Sequence, residues 1–171
     1  MRNKKSKAVA TSGVLAALAV VILLLGSLIE LLDLSAAAMA SLVIMVAVID
    51  LGIGYAAGVY AVAAVLSVLL FPKTATIVFA AFVGYYPIVK VYLDRIKPRL
   101  LQYTVKLVLF NAFLFGILWL VEQLLGAGND WSALGVPLYV LGNLTFLVFD
   151  LAIARLSLFY IHKIKRRFQK R

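Results

Sequence analysis

The sequence predicts an all-α polytopic membrane protein, a bundle of six transmembrane helices forming one integral membrane domain over residues 1–171. Three observations carry that prediction. Hydrophobic residues make up 65% of the chain and charged ones 14%, with a mean hydropathy of +1.07, whereas a soluble domain is about half apolar and a quarter charged. Apolar runs recur along the whole length, and about 20 such residues make one membrane helix. The basic residues gather in clusters beside those runs, the pattern that membrane insertion favours.

Taken in order, the first span covers residues 9–32 and follows the basic segment Arg2–Lys7. The second covers 36–53 and the third 54–71. Pro72 and Lys73 then interrupt the pattern, and a fourth span covers 74–92. The charged connection from Asp94 to Arg99 contains Pro98, which cannot sit in a helix interior without breaking it. The fifth span covers 103–125. A loop from Gly126 to Ser132 leads to the sixth span, 137–161, and a basic tail occupies 163–171. So little of the chain remains outside these spans that its function must lie within or beside the bilayer.

Counting Lys and Arg on alternate sides sets the orientation. Four at the N-terminus, five from Lys90 to Lys106 and six from Lys163 onward fall on one side. The other side has Lys73 and carries Glu30, Asp33, Glu122 and Asp130. The positive-inside rule then places both termini in the cytoplasm of a cell-membrane protein, and an even number of spans agrees. The basic start, the apolar stretch and the small residues Ser35–Ala40 also have the shape of a secretory signal. That stretch is longer than a usual signal core, and Glu30 and Asp33 intervene before the small residues, so the first span is expected to be retained.

The same distribution decides what the net charge of +10 means. Bases placed at span ends serve topology, so nucleic-acid binding is not expected. Without cysteine there are no disulfides and no thiolate sites, and His162 is the sole histidine. Zinc and serine-nucleophile constellations lack their parts, so neither an enzyme, a metal nor a cofactor is expected. The glycines Gly52, Gly54 and Gly58 join two membrane spans rather than a strand and a helix, which removes a dinucleotide reading.

Ionisable groups inside a bilayer are costly and therefore candidates for function. Asp150 lies near the middle of the sixth span, on one face with Tyr139, Asn143, Ala154 and Ser157. Asp50 lies at a depth similar to Lys106 and Arg155, so Asp50, Lys106, Asp150 and Arg155 could form a neutral internal network, which would serve transport or simply hold helices together. Toward the other side, Asn111, Phe115, Trp119 and Glu122 share a face of the fifth span, followed by Asn129, Asp130 and Trp131. Amides, carboxylates and indoles there suit an organic solute, although interfacial tryptophan also anchors spans in the headgroup belt. Candidate solute-binding residues are thus Asn111, Trp119, Glu122, Trp131, Asn143 and Asp150.

Small residues let membrane helices approach closely. Ala8, Ser12, Ala16, Ala19 and Gly26 fall on one face of the first span, Ala36, Ala40 and Ala47 on one side of the second, and Gly54, Ala57, Gly58, Ala61 and Ala64 on the third. Each stripe serves packing within the chain or contact with a partner.

The basic start followed by Ala10–Ala19, together with the glycine-rich segment Asp50–Gly58, resembles the substrate-binding S components of energy-coupling-factor (ECF) transporters. The resemblance is spread over most of the chain. It implies six helices, a vitamin-like or metal-ion solute bound from outside, and docking of early helices onto a membrane coupling protein with two ATPases. The docking motif Ala-x-x-x-Ala of that family would map onto Ala8, Ser12 and Ala16, with serine in the central place, and Ala19 continues the face. No vitamin-specific signature is visible. A rod-shape protein of the MreD type has similar length, and there the role would be a non-transporting scaffold.

Overall fold

The computed structural model describes the backbone of residues 2–29, 32–125 and 130–165, and the side chains of those residues apart from 2–4, 118, 120–125, 130–136, 138, 164 and 165. Among the described residues all regular structure is helical: α1 (Arg2–Ser27), α2 (Asp33–Asp50), α3 (Ile53–Leu70), α4 (Thr74–Val78), a π-helical turn (Phe79–Val83), α5 (Tyr86–Leu93), α6 (Arg99–Leu125), α7 (Asp130–Phe159) and a second π-helical turn (Tyr160–Lys165). Six segments are long and apolar enough to cross a bilayer: Lys5–Ser27, Asp33–Asp50, Ile53–Leu70, Thr74–Leu93, Arg99–Ile117 and Tyr139–Lys163. Their outward faces are apolar where a soluble protein would be polar. Val14, Leu18 and Leu25 on α1, Val65 and Leu69 on α3, and Leu144 and Val148 on α7 are all exposed. An exposed face of this kind requires lipid rather than water as its solvent. The protein is a multi-pass membrane protein.

Packing divides the chain into two compact units, residues 1–91 with 155–171, and residues 92–154. In the first unit α1 packs on both α2 and α3 through small side chains. Ala16 and Ala19 of α1, Ala37 and Ala40 of α2, and Ala56 and Ala63 of α3 are buried in one cluster. Alanine presents little more than backbone, so the helices gain dispersion contact over their whole length, the principal attraction available between helices in lipid. Gly26 takes this furthest, since a Cβ there would overlap the Ala36 side chain. Buried hydroxyls are satisfied locally: Ser27, Ser41 and Ser67 each donate to a carbonyl of their own helix, at 2.8, 2.7 and 3.2 Å.

The connections explain the boundaries. Only Leu51 and Gly52 separate α2 from α3, and Gly52 holds a φ of 91° that L-residues rarely adopt. After Pro72, the Thr76 hydroxyl accepts from the Lys73 N–H at 3.0 Å and starts α4. The fourth span is not one regular helix. At Phe79 it widens into a π turn, with Gly84 N–H bonded to the Phe79 carbonyl at 2.8 Å. The Tyr60 hydroxyl of α3 donates to the Ala80 carbonyl in that turn, and its ring lies 6.0 Å from those of both Phe79 and Tyr85.

In the second unit α6 and α7 run antiparallel. The sequence places the last loop at Gly126 to Ser132 and the start of its span at Pro137, but α7 already begins at Asp130. Pro137 is therefore inside the helix, at its eighth residue and past the first turn, so its missing N–H removes one intrahelical hydrogen bond.

Candidate functional site: a polar seam between α6 and α7

Facing residues fix the register of α6 and α7. Lys106 meets Asp150, Phe110 stacks on Phe146 with ring centroids 4.7 Å apart, and Asn111 meets Asn143. Positions rise along α6 as they fall along α7. A Cβ on Gly142 would lie 3.4 Å from Leu114 and 3.5 Å from Phe110, ordinary van der Waals contact, so an alanine would fit against the α6 side chains there.

At one end of the seam Lys106 Nζ donates to Asp150 Oδ2 at 3.0 Å and Oδ1 at 3.2 Å, and to Asp94 Oδ1 at 2.7 Å. Lys106 and Asp150 are almost fully buried, with side-chain exposures of 2% and 3%, while Asp94 is 41% exposed. Gln102 Nε2 also donates to Asp94 Oδ1, at 2.6 Å. The ammonium therefore bridges an interior carboxylate and a surface one, and Asp94, Gln102 and Lys106 form a chain from the connection into the span. Lys106 is about 10 Å along the axis from the start of α6, at 1.5 Å per residue.

About 7–8 Å deeper by the same rise lies the amide pair. Asn111 Nδ2 donates to Asn143 Oδ1 at 2.8 Å, and Asn143 Nδ2 donates back to Asn111 Oδ1 at 3.0 Å. The second N–H of each goes to its own helix, Asn111 to Leu107 O at 2.8 Å and Asn143 to Tyr139 O at 2.7 Å. All four amide protons are thus used inside the hairpin. A solute reaching these residues would meet carbonyl oxygens, or would have to separate the pair.

The four charges expected to form one network divide differently. Lys106 and Asp150 pair as expected. Asp50 accepts a hydrogen bond from the Tyr160 hydroxyl within the first unit, and Arg155 is exposed. Of the remaining solute candidates, Trp119 is 54% exposed, and the side chains of Glu122 and Trp131 lie outside the described residues. Asn129 lies outside them too, as does the side chain of Asp130. Asp94 was missed because its eight-residue spacing to Gln102 crosses a turn, where helical periodicity carries no signal. Lys90, on α5, is also buried, 6% exposed, although its place beside a charged connection suggests an interfacial base.

The expected docking face on α1 is partly taken up within the chain, with Ala8 and Ser12 half-buried. Ala16 and Ala19 are 4% and 0% exposed, packed against α2 and α3, while Ser12 donates to the Ala8 carbonyl at 2.8 Å. Close approach is used there by this chain's own helices. The exposed small-residue face is on α3, at Gly54, Ala57, Gly58 and Ala61.

Comparison of the sequence with protein-family models, with curated proteins and with solved structures finds no match.

Proposed function

We propose that the chain is a membrane-embedded solute-binding subunit for uptake of a small, vitamin-like molecule, acting beside partner proteins that supply energy, as S components of ECF transporters do. Its setting is the cell membrane with both termini cytoplasmic, a reading supported by the distribution of bases and the even number of spans. The observation that carries the proposal is the buried Lys106–Asp150 pair. Two helices can be held together in lipid by small apolar contacts alone, as α1 and α2 are. Replacing a buried ion pair with apolar residues of similar volume is often neutral or stabilising. A charge pair kept inside a span therefore favours a role in handling a polar solute over a purely structural one.

The saturated Asn111–Asn143 pair favours a second reading, a non-transporting scaffold whose seam serves rigidity. Native mass spectrometry of the protein purified from its own membrane separates the two. A small molecule bound to wild type and absent from Asp150→Asn supports uptake. Membrane proteins co-purifying with no bound solute would replace it with the scaffold reading.

A further inference from the structure

The two carboxylates that share the Lys106 ammonium are not equivalent. Asp150 is buried inside the sixth span, whereas Asp94 is exposed and lies between the fourth and fifth spans. Lys106 Nζ faces three of their oxygens, Asp150 Oδ2 at 3.0 Å, Asp150 Oδ1 at 3.2 Å and Asp94 Oδ1 at 2.7 Å. The exposed ring of Tyr103, one turn nearer the start of α6, has its centroid 5.6 Å from the same ammonium. Asp94 and Tyr103 thus form a second seat for this charge on the surface side of Lys106, already in contact with it. The flexible four-carbon stem of lysine can swing the ammonium fully onto that seat. Such a move is the snorkelling that brings a buried base nearer the interface, where its charge is less costly.

The second seat decides the sign of the solute. If Lys106 withdraws to it, the buried Asp150 carboxylate must be matched by another positive group. A cationic solute supplies that group. An anionic one would have to draw the ammonium away from a carboxylate inside the span, and a neutral one would separate the pair with nothing to offset it. The neighbouring surfaces suit a cation as well. One turn deeper, Phe110 and Phe146 stack with centroids 4.7 Å apart, and ring faces attract positive charge. Beyond them, the Asn111 and Asn143 amide oxygens each accept one bond within their pair and have a second lone pair for a donor. The place that Lys106 would vacate is the size of an ammonium group.

We propose that Lys106 is an exchangeable counter-ion, and that the solute is a small organic cation whose ammonium or guanidinium group takes its place on Asp150 while Asp94 and Tyr103 hold Lys106. This inference rests on the uptake reading of the same pair and adds the charge of the solute to it.

The test titrates the full chain in mild detergent with ethylammonium chloride, sodium propionate and 1-propanol at constant ionic strength, and follows the thermal midpoint. Ethylammonium should raise the midpoint of wild type saturably, and the other two probes should not. Asp150→Asn should weaken ethylammonium binding about tenfold or more, the loss of a charge-assisted contact. Asp94→Asn, at an exposed position, should also weaken it, because Lys106 then lacks its second seat. Lys106→Met should bind ethylammonium more tightly than wild type, and adding Asp94→Asn to it should have no further effect. A purely structural Asp94 would not show that dependence on Lys106. Absence of a saturable response to ethylammonium, an equal response to propionate or propanol, or an unaffected Asp150→Asn overturns the proposal. An unaffected Asp94→Asn overturns the exchange, whether or not Lys106→Met folds. A solute carried from the native membrane that has no positive charge, yet is lost in Asp150→Asn, overturns the assignment to a cation and leaves the uptake reading standing.

Discussion

Lys106 Nζ and Asp150 Oδ2 lie 3.0 Å apart, with both side chains almost wholly withdrawn from the surface, while the same ammonium reaches the exposed Asp94 at 2.7 Å. Removing Asp150 leaves the buried ammonium to the exposed Asp94, whereas removing Lys106 takes the ammonium from a buried carboxylate. Asp150→Leu should therefore lower stability by less than the roughly 3–5 kcal/mol of a fully stranded charge, yet by more than Leu151→Ala on the exposed face. The double variant Lys106→Met, Asp150→Leu should recover most of the loss in a detergent thermal melt. Under the uptake proposal that stable double variant still fails to bind solute. If it binds solute normally, the pair is structural only.

The amide pair makes a smaller and separable contribution. Asn111→Leu or Asn143→Leu alone strands one amide inside the hairpin, at about 0.6–2 kcal/mol for an interhelical membrane hydrogen bond. Replacing both should be milder than the sum of the singles, which a double-mutant cycle on thermal midpoints would read. Strict additivity would mean that the two amides do not act as a pair.

Small-residue faces should respond in opposite ways. Ala16→Trp and Ala19→Trp force a ring into the α1–α2–α3 cluster and should destabilise by at least about 1–3 kcal/mol. Gly58→Leu meets open space, since nothing lies within 4 Å of a Cβ there, and should leave the thermal midpoint nearly unchanged. A tolerated Ala19→Trp would contradict the packing described.

Topology can be read directly, because the chain has no cysteine and any introduced one reports alone. Lys73→Cys should react with an impermeant maleimide on intact cells, and Arg99→Cys should react only after permeabilisation. The reverse pattern would invert the orientation.

What the sequence made legible follows the strength of each physical signal. Six spans were readable because every one carries a long apolar run, and lipid leaves no alternative to helix for such a run. The Lys106–Asp150 pair was readable because a charge inside a span must find a partner. The α7 start was not, since Pro137 reads as a boundary although the helix already runs from Asp130 and carries the proline in its interior. The π turn at Phe79 has no compositional mark. Nor could the small-residue stripe on α1 say whose helix it receives, because a partner's backbone and the chain's own ask for the same alanines.

The order in which the chain is made gives the Lys106 cluster a consequence of its own. Asp94 precedes Lys106 by 12 residues, while Asp150 follows it by 44. At about 5–20 residues per second of synthesis, Lys106 waits roughly 2–9 s for its buried partner. Throughout that interval Asp94 is already in place, so the ammonium can enter the bilayer with its charge offset before α7 exists. The bridge seen in the finished fold thus preserves a hand-over between an early carboxylate and a late one. Asp94→Asn should accordingly reduce the yield of inserted protein more than it reduces the stability of what has inserted, which pulse-labelling set beside a thermal melt would measure.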